Sequence, residues 1–376
     1  MGDMDKIRLS KSSVGDLEKE ALARVIDQGY LGMGSFVNEF EEKLREWLGG
    51  GRYAVCVSSG TSALHLAVES CVPPGSEVLV QSLTYIASFQ AISAAGAIPV
   101  ACEVLPGTCT IDIGDAGRRL TERTKAIMPV HYASRTGDLE KVYEFAGRHK
   151  LRVIEDAAHA FGTIYKGRKV GSFGDIVCFS FDGIKNITSG EGGAVVTGST
   201  EVAKYVMDAR LLGVEKDTEK RYRGIRSWEF DVTHRGYRYH MSNIFAAIGI
   251  CQLERLDSDF KPSRQRLARA YHDALGGIPE IMLFQNDYSE IIPHIFPIRV
   301  LEGRRNALKE HLLENGIECG VHYYPNHFLT FYGGRGTDLP VTERLHGELL
   351  SLPLHPGLTG AEQRKVITCI KEHFCD

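Results

Sequence analysis

Nine cysteines occur among 376 residues, and no two of them stand in a Cys-x-x-Cys spacing. That absence excludes a zinc ribbon and a thioredoxin-like redox motif. The odd count, with no apolar leader behind the polar start Met1-Gly2-Asp3-Met4-Asp5-Lys6, points to reduced thiols and a cytoplasmic location. No uninterrupted apolar run approaches the roughly 18 residues of a membrane-spanning helix, so no membrane partner is expected. Positive charge is not in excess either: the formal net charge is -4. Such a balance offers no broad basic field to a nucleic-acid backbone or an anionic bilayer. Internal repeats and low-complexity tracts are also missing. What is present is an ordinary globular composition, 43% hydrophobic and 24% charged, enough to bury one large core and a smaller one.

From about residue 50 to 215, apolar β-type runs alternate with helical patterns. Segments 54–59, 77–81, 99–104, 126–131, 152–157, 176–181 and 194–197 read as strands, several without polar alternation, as expected of strands buried on both faces. Helical patterns at 62–69, 139–149 and 201–211 supply covers, giving an α/β class with a largely parallel sheet, whose ligands sit beyond the carboxyl ends of the strands. Segment 217–238 is charged and aromatic without a clean period, and reads as a loop able to reach a neighbouring subunit. Segment 241–273 is helix-like. A strand at 295–300, a helix at 304–315 ended by Gly316, and a helix at 361–373 follow. The expected division is a large cofactor-binding α/β domain over 1–250 and a small C-terminal α+β domain over 251–376.

The chemistry concentrates in the large domain. Lys185 follows the run Phe179-Ser180-Phe181 and precedes the turn Gly190-Glu191-Gly192-Gly193. An apolar strand leading to a lysine and then to three glycines is hard to explain by packing alone. Burial beside other cations lowers a lysine pKa and frees its amine to attack an aldehyde. Ser58-Ser59-Gly60-Thr61-Ser62 follows a strand and opens a helix, where N–H groups and hydroxyls suit a phosphate. By itself that segment reads first as an N-cap, which Ser and Thr at a helix start are in most proteins. Asp156 ends the run Arg152-Val153-Ile154-Glu155-Asp156, where its carboxylate pairs with a protonated pyridine nitrogen or caps whatever follows. His159 lies three residues on, as part of a site or as a structural histidine, and Tyr85 is a stacking ring or a core aromatic. Ser180 offers a hydroxyl to the same phosphate. Phosphate loop, aromatic, acidic strand end and lysine turn come in the order a single pyridoxal phosphate site needs.

The chain also resembles the sugar aminotransferases of the DegT/DnrJ/EryC1/StrS family, which are fold-type-I pyridoxal phosphate enzymes. The likeness runs through Ser59-Gly60-Thr61-Ser62-Ala63-Leu64-His65-Leu66-Ala67, Glu155-Asp156-Ala157-Ala158-His159-Ala160, Phe179-Ser180-Phe181 with Lys185-Asn186, Gly190-Glu191-Gly192-Gly193, Met241-Ser242-Asn243-Ile244, Val321-His322-Tyr323 and Ser351-Leu352-Pro353-Leu354. The resemblance implies Lys185 as the Schiff-base lysine, Asp156 on the pyridine nitrogen, His159 near the ring hydroxyl, Tyr85 stacked on the ring, and Ser59, Gly60, Thr61 and Ser180 at the phosphate. Some members carry histidine in place of this lysine and are dehydratases, so the lysine favours transamination. At Gly236-Tyr237-Arg238-Tyr239-His240 the chain departs from the family's pattern, which has asparagine and arginine in place of Arg238 and His240. The family's asparagine touches the cofactor phosphate of the partner subunit, so the resemblance points to Arg238 in a homodimer with shared sites. Arg226 and Trp228 match no family role.

The expected activity is amino transfer from glutamate to a keto group of a nucleotide-linked deoxysugar, with pyridoxal 5'-phosphate as cofactor and no metal. Two rivals use the same residues: a pyridoxal phosphate-dependent sugar-nucleotide dehydratase or lyase, and a non-catalytic pyridoxal phosphate-binding protein. A DNA-binding regulator is disfavoured, because no basic helix-turn-helix extension accompanies the fold.

Overall fold

A computed structural model of the chain describes residues 6–225, 228–333 and 338–375. Seven strands form the central sheet: β1 (Tyr53–Val57), β2 (Glu77–Gln81), β3 (Ile98–Cys102), β4 (Thr124–Met128), β5 (Arg152–Asp156), β8 (Ile176–Ser180) and β9 (Gly193–Thr197). A short hairpin of β6 (Ile164–Tyr165) and β7 (Arg168–Lys169) lies apart from it. The spatial order is β1-β9-β8-β5-β4-β2-β3. The pairings from β8 across to β3 are all parallel. Only β9 runs the other way, antiparallel to both β8 and β1. A parallel return needs a crossover of a dozen or more residues, usually a helix. Segment 181–192 carries the lysine turn instead of a helix, so β9 folds straight back along β8.

Strands β2, β8 and β9 are buried along their whole length, which is why they read as continuous apolar runs rather than alternating ones. One layer of helices, including Gly60–Glu69 and Ile86–Ala94, packs Leu64, Leu66, Phe89 and Ile92 against Val55, Val80 and Met128. The other face is covered by Ser35–Trp47 and Asn243–Arg255, which bring Phe40, Leu44 and Ile250 against Cys56, Val177 and Phe181. Helices Asp16–Asp27, Ser35–Trp47 and Ile86–Ala94 lie outside the helical patterns read from the sequence.

The long helix-like stretch is two α-helices, Asn243–Arg255 and Lys261–Leu275, joined by one π-helical turn at Leu256–Phe260. Its far end enters a second core. There a three-stranded antiparallel sheet of β10 (Ile281–Leu283), β11 (Phe296–Val300) and β12 (Leu349–Leu352) packs Ile298, Val300 and Leu350. Against that sheet lie Leu308 and Leu312 of helix Arg305–Glu314 and Val366 and Ile370 of helix Gly360–Cys375. Ile7, from the start of the chain, belongs to this second core and pairs with Ile317.

Segment 217–238 is not wholly a loop. It opens with a short helix, Asp217–Tyr222. The reason is tertiary: Tyr222 accepts a hydrogen bond from the fully buried Arg210 (2.8 Å), whose other amino group donates to Glu41 (2.5 Å) and to the Cys56 carbonyl (2.6 Å). A buried charge network of this kind fixes residues that have no apolar period to fix them. Arg226 lies outside the described residues. Trp228 is 85% exposed, and Phe230, Ile225 and Val232 are exposed beside it in the chain. Residues 237–240 run along the outer edge of β1, where Ser58 N–H donates to the Tyr239 carbonyl at 2.6 Å and Val57 bridges His240. Among the described residues no helix is long and apolar enough to cross a membrane.

Candidate active site

The carboxyl ends of β1, β5 and β8 open onto one cavity of about 460 Å³. Its walls include Ser59, Gly60, Thr61, Tyr85, Asp156, His159, Ser180 and Lys185, so eight residues singled out from four separate segments meet in one place. Arg238 is not among them. It lines a smaller depression with Asp217, Arg221, Phe230 and His240.

Local packing explains how the phosphate-type loop and the lysine turn come together. A Cβ on Gly60 would stand 2.7 Å from the Cβ of Ser180, and one on Gly193 would stand 2.5 Å from the Ser59 carbonyl oxygen. Both distances are shorter than side chains tolerate, so the two loops interdigitate only because these positions are glycine. Ser59 accepts from Ser62 N–H at 3.0 Å and caps helix Gly60–Glu69. Its capping role is thus present inside the cavity wall. The N–H groups of Gly60 and Thr61, first in that helix, donate to no group among the described residues and form the positive end of the helix dipole.

Asp156 is buried at the end of β5. Its Oδ2 accepts from Ser88 Oγ at 2.7 Å and its Oδ1 from Ala158 N–H at 3.2 Å. Residues 157–162 form turns, so there is no helix for Asp156 to cap. His159 Nδ1 accepts from Ala133 N–H at 3.3 Å, which places the ring proton on Nε2, where it is shared with the Tyr323 hydroxyl at 2.8 Å. Burial, then the charge of Lys185, holds His159 neutral, well below the usual histidine range. Tyr85 stands at the N-cap of helix Ile86–Ala94, 59% exposed, with its ring 5.8 Å from that of Tyr323.

Lys185 follows the tight turn from Asp182, to whose carbonyl it donates its N–H at 3.0 Å. Its amine is partly buried in the cavity wall, and that burial pulls its pKa down to about 8, against the opposing pull of Asp182 and Asp156 and with a further push from Arg264. Nζ lies 3.4 Å from Nε2 of His294.

Three residues in this site carry no role in the sequence reading. His294 arrives on the loop before β11, and His322 and Tyr323 sit in the stretch before helix Pro340–Glu348. His322-Tyr323 is part of a motif visible in the sequence, whereas a lone histidine in Ile291-Ile292-Pro293-His294 gives no periodic or spacing signal. His322 is also held neutral, with burial pulling it to about 4.

A mostly parallel sheet with a lysine turn, a buried strand-end carboxylate and a helix N-terminus at one edge is the architecture of fold-type-I pyridoxal phosphate aminotransferases. The chain belongs to the DegT/DnrJ/EryC1/StrS aminotransferase family, whose sequence profile matches residues 13–371. Among solved structures it is similar to PseC of Helicobacter pylori, an aminotransferase involved in the biosynthesis of pseudoaminic acid, at 26% identity and a TM-score of 0.90, covering 98% of this chain and 99% of that one. It is similar to DesV of S. venezuelae, solved with a ketimine intermediate, at 33% identity and a TM-score of 0.86 over 96% of this chain and 98% of that one. A Streptococcus pneumoniae protein assigned as a sugar aminotransferase matches in its PLP form at 27% identity and a TM-score of 0.89, over 98% of each chain. Its PMP form matches at 28% identity and a TM-score of 0.90, over 98% of this chain and 97% of that one.

Proposed function

We propose that this protein is a pyridoxal 5'-phosphate-dependent aminotransferase that moves an amino group from glutamate to a keto group of a nucleotide-linked deoxysugar. The observation that carries the reading is Lys185, a half-buried lysine with its pKa pulled down to about 8, in the same cavity as the buried Asp156 and the open helix N-terminus at Gly60 and Thr61. The role of PseC in pseudoaminic acid biosynthesis supports a sugar as the acceptor.

The residues fit the cofactor. The N–H groups of Gly60 and Thr61, with the hydroxyls of Thr61 and Ser180, would take its phosphate, and Ser59 holds that turn. Asp156 would face its ring nitrogen, His159 its ring hydroxyl, Tyr85 one ring face and Lys185 its aldehyde. When bound, pyridoxal 5'-phosphate supplies an aldehyde that takes up the amino group and a ring that accepts the electron pair of the broken C–H bond. The chain supplies the rest. A lysine near pH 8 is unprotonated often enough to take a proton from the donor's α-carbon and hand it on. Asp156, oriented by Ser88 and Ala158 N–H, offers a carboxylate that would pair with the ring nitrogen. His159, neutral and tied to Tyr323, orients without adding a positive charge beside Lys185. Arg238, at the sheet edge and outside its own cleft, is read as reaching the partner's site in a homodimer.

The test is a panel of keto sugar nucleotides incubated with the purified enzyme, cofactor and ¹⁵N-glutamate, read by mass spectrometry. An aminated sugar carrying ¹⁵N, with 2-oxoglutarate formed alongside, is the expected result. Loss of water from the sugar without 2-oxoglutarate would replace amino transfer by the dehydratase reading. Borohydride reduction followed by peptide mapping should put the pyridoxyl label on Lys185 rather than on Lys166 or Lys169.

A further inference from the structure

His294 stands against Lys185 because three side chains fasten its loop there. Asn186, next to the lysine, donates from Nδ2 to the Ile292 carbonyl at 3.0 Å. Ser134 Oγ donates to the same carbonyl at 2.6 Å and accepts from His294 N–H at 3.1 Å. Arg264, on the helix that links the two cores, donates from Nη1 to the carbonyls of Pro293 and His294, each at 3.2 Å. Its other amino group approaches the Ile184 carbonyl at 3.5 Å. Arg264 is buried and has no carboxylate partner among the described residues. A buried arginine spent on backbone carbonyls of three segments, at Ile184, at Pro293-His294 and, at 3.4 Å, at Leu354, is a clamp, and among what it ties together are the loop of His294 and the stretch beside Lys185.

The groups around the Lys185 amine divide by sign. The carboxylates of Asp182 and Asp156 favour its ammonium form, whereas burial and Arg264 favour the neutral amine. His159, His322 and His294 are all held neutral by burial and by Lys185 itself. The His294 ring packs against that of His159 with centroids 4.4 Å apart, and its Nδ1 is buried with no hydrogen-bond partner among the described residues. With Nδ1 uncommitted, the imidazole proton is free to sit on either nitrogen. Nε2 then accepts from the ammonium or donates to the amine as the lysine changes state.

We propose that His294 is a positioning residue for Lys185, a neutral imidazole that partners the lysine amine in both of its protonation states and keeps it aimed into the cleft. A carboxylate in its place would hold the lysine charged, and an apolar ring would hold it neutral. Only a group able to both donate and accept leaves the lysine free to load and unload a proton. The proposal rests on the reading of Lys185 as the amine that meets the cofactor.

The test uses the full-length chain without cofactor. Acylation of Lys185 by acetic anhydride is followed across pH by peptide mass spectrometry, in wild type, His294→Phe and His294→Gln. The wild-type midpoint is expected near 8. Phenylalanine fills the space but cannot accept from the ammonium, so the midpoint should fall by about one unit, tenfold in the ammonium-to-amine ratio. Glutamine, which donates and accepts, should stay within a few tenths of a unit of wild type. In the reconstituted enzyme, His294→Phe should lower kcat with little change in KM, and His294→Gln should recover much of the loss. An unchanged midpoint in His294→Phe, or an equal fall in His294→Gln, overturns the proposal. If borohydride fails to trap pyridoxal phosphate on wild-type Lys185, the reading of the site fails instead, and the acylation midpoints still decide the role of His294.

Discussion

Replacing Asp156 by asparagine isolates charge from shape. In the native arrangement Ser88 Oγ donates to Oδ2 at 2.7 Å, Ala158 N–H donates to Oδ1 at 3.2 Å, and Thr84 Oγ1 lies 3.0 Å from Ser88 Oγ. Asparagine keeps the contact to Ala158 N–H through its carbonyl oxygen. Its amide then donates to Ser88, whose hydroxyl turns to donate to Thr84, so every polar group in the chain of three keeps a partner. The fold should therefore lose no more than about 1 kcal/mol, the scale of one altered neutral hydrogen bond. The reaction should lose far more. A buried charge left without its partner costs about 3–5 kcal/mol, and at about 1.4 kcal/mol per decade that is roughly a hundred- to several-thousandfold in rate. The assay is single-turnover reaction of the cofactor-loaded enzyme with glutamate, alongside thermal melting and cofactor titration of the same preparation. A fall in rate of that size with near-native melting and only modestly weaker cofactor binding is the expected pattern. A rate within a few-fold of wild type would mean that Asp156 merely fastens Ala158 and Ser88, and that the ring nitrogen is served otherwise.

Two further outcomes follow from the same geometry. Burial pulls Lys185 down to about 8 in the folded chain against about 10.4 when unfolded, so below pH 8 the folded state carries the full cost of desolvating this cation. That cost shrinks as pH rises through this window and is gone above it. Lys185→Met should accordingly raise the melting temperature of the cofactor-free protein at pH 7, with the gain fading by about pH 10.4; a lower melting temperature at pH 7 would refute the assignment of strain to this lysine. For Arg238, mixing Lys185→Ala subunits with Arg238→Glu subunits under exchange conditions should restore activity to at most about half per heterodimer, since one of two shared sites is then intact. Full activity of Arg238→Glu alone, or no rescue after confirmed exchange, would assign Arg238 to its own subunit's surface.

The central strands were legible because burial on both faces leaves an apolar run of fixed length, and β2 spans the same residues, 77 to 81, in sequence and structure. The lysine turn, the Ser59-Gly60-Thr61 loop and the Asp156 strand end were legible because each joins a short chemical motif to the end of a strand, and the parallel topology carries such ends to one edge of the sheet. Periodicity could not reveal helix Asp217–Tyr222, which rests on the buried Arg210, Glu41 and Tyr222 network rather than on an apolar face. Nor could it reveal helix Ile86–Ala94, whose apolar residues are spread around it instead of forming a stripe. The surroundings of the lysine were decided by tertiary structure alone. His294 lies 109 residues along the chain from Lys185, and Arg264 joins two loops whose sequences say nothing of each other. What the sequence determined by itself is therefore the chemistry on offer at the sheet edge, because covalent neighbours carry it. What only the tertiary structure decided is the pKa of the lysine and the partner of its amine, because burial and hydrogen bonding are set by groups that meet through folding and not through sequence.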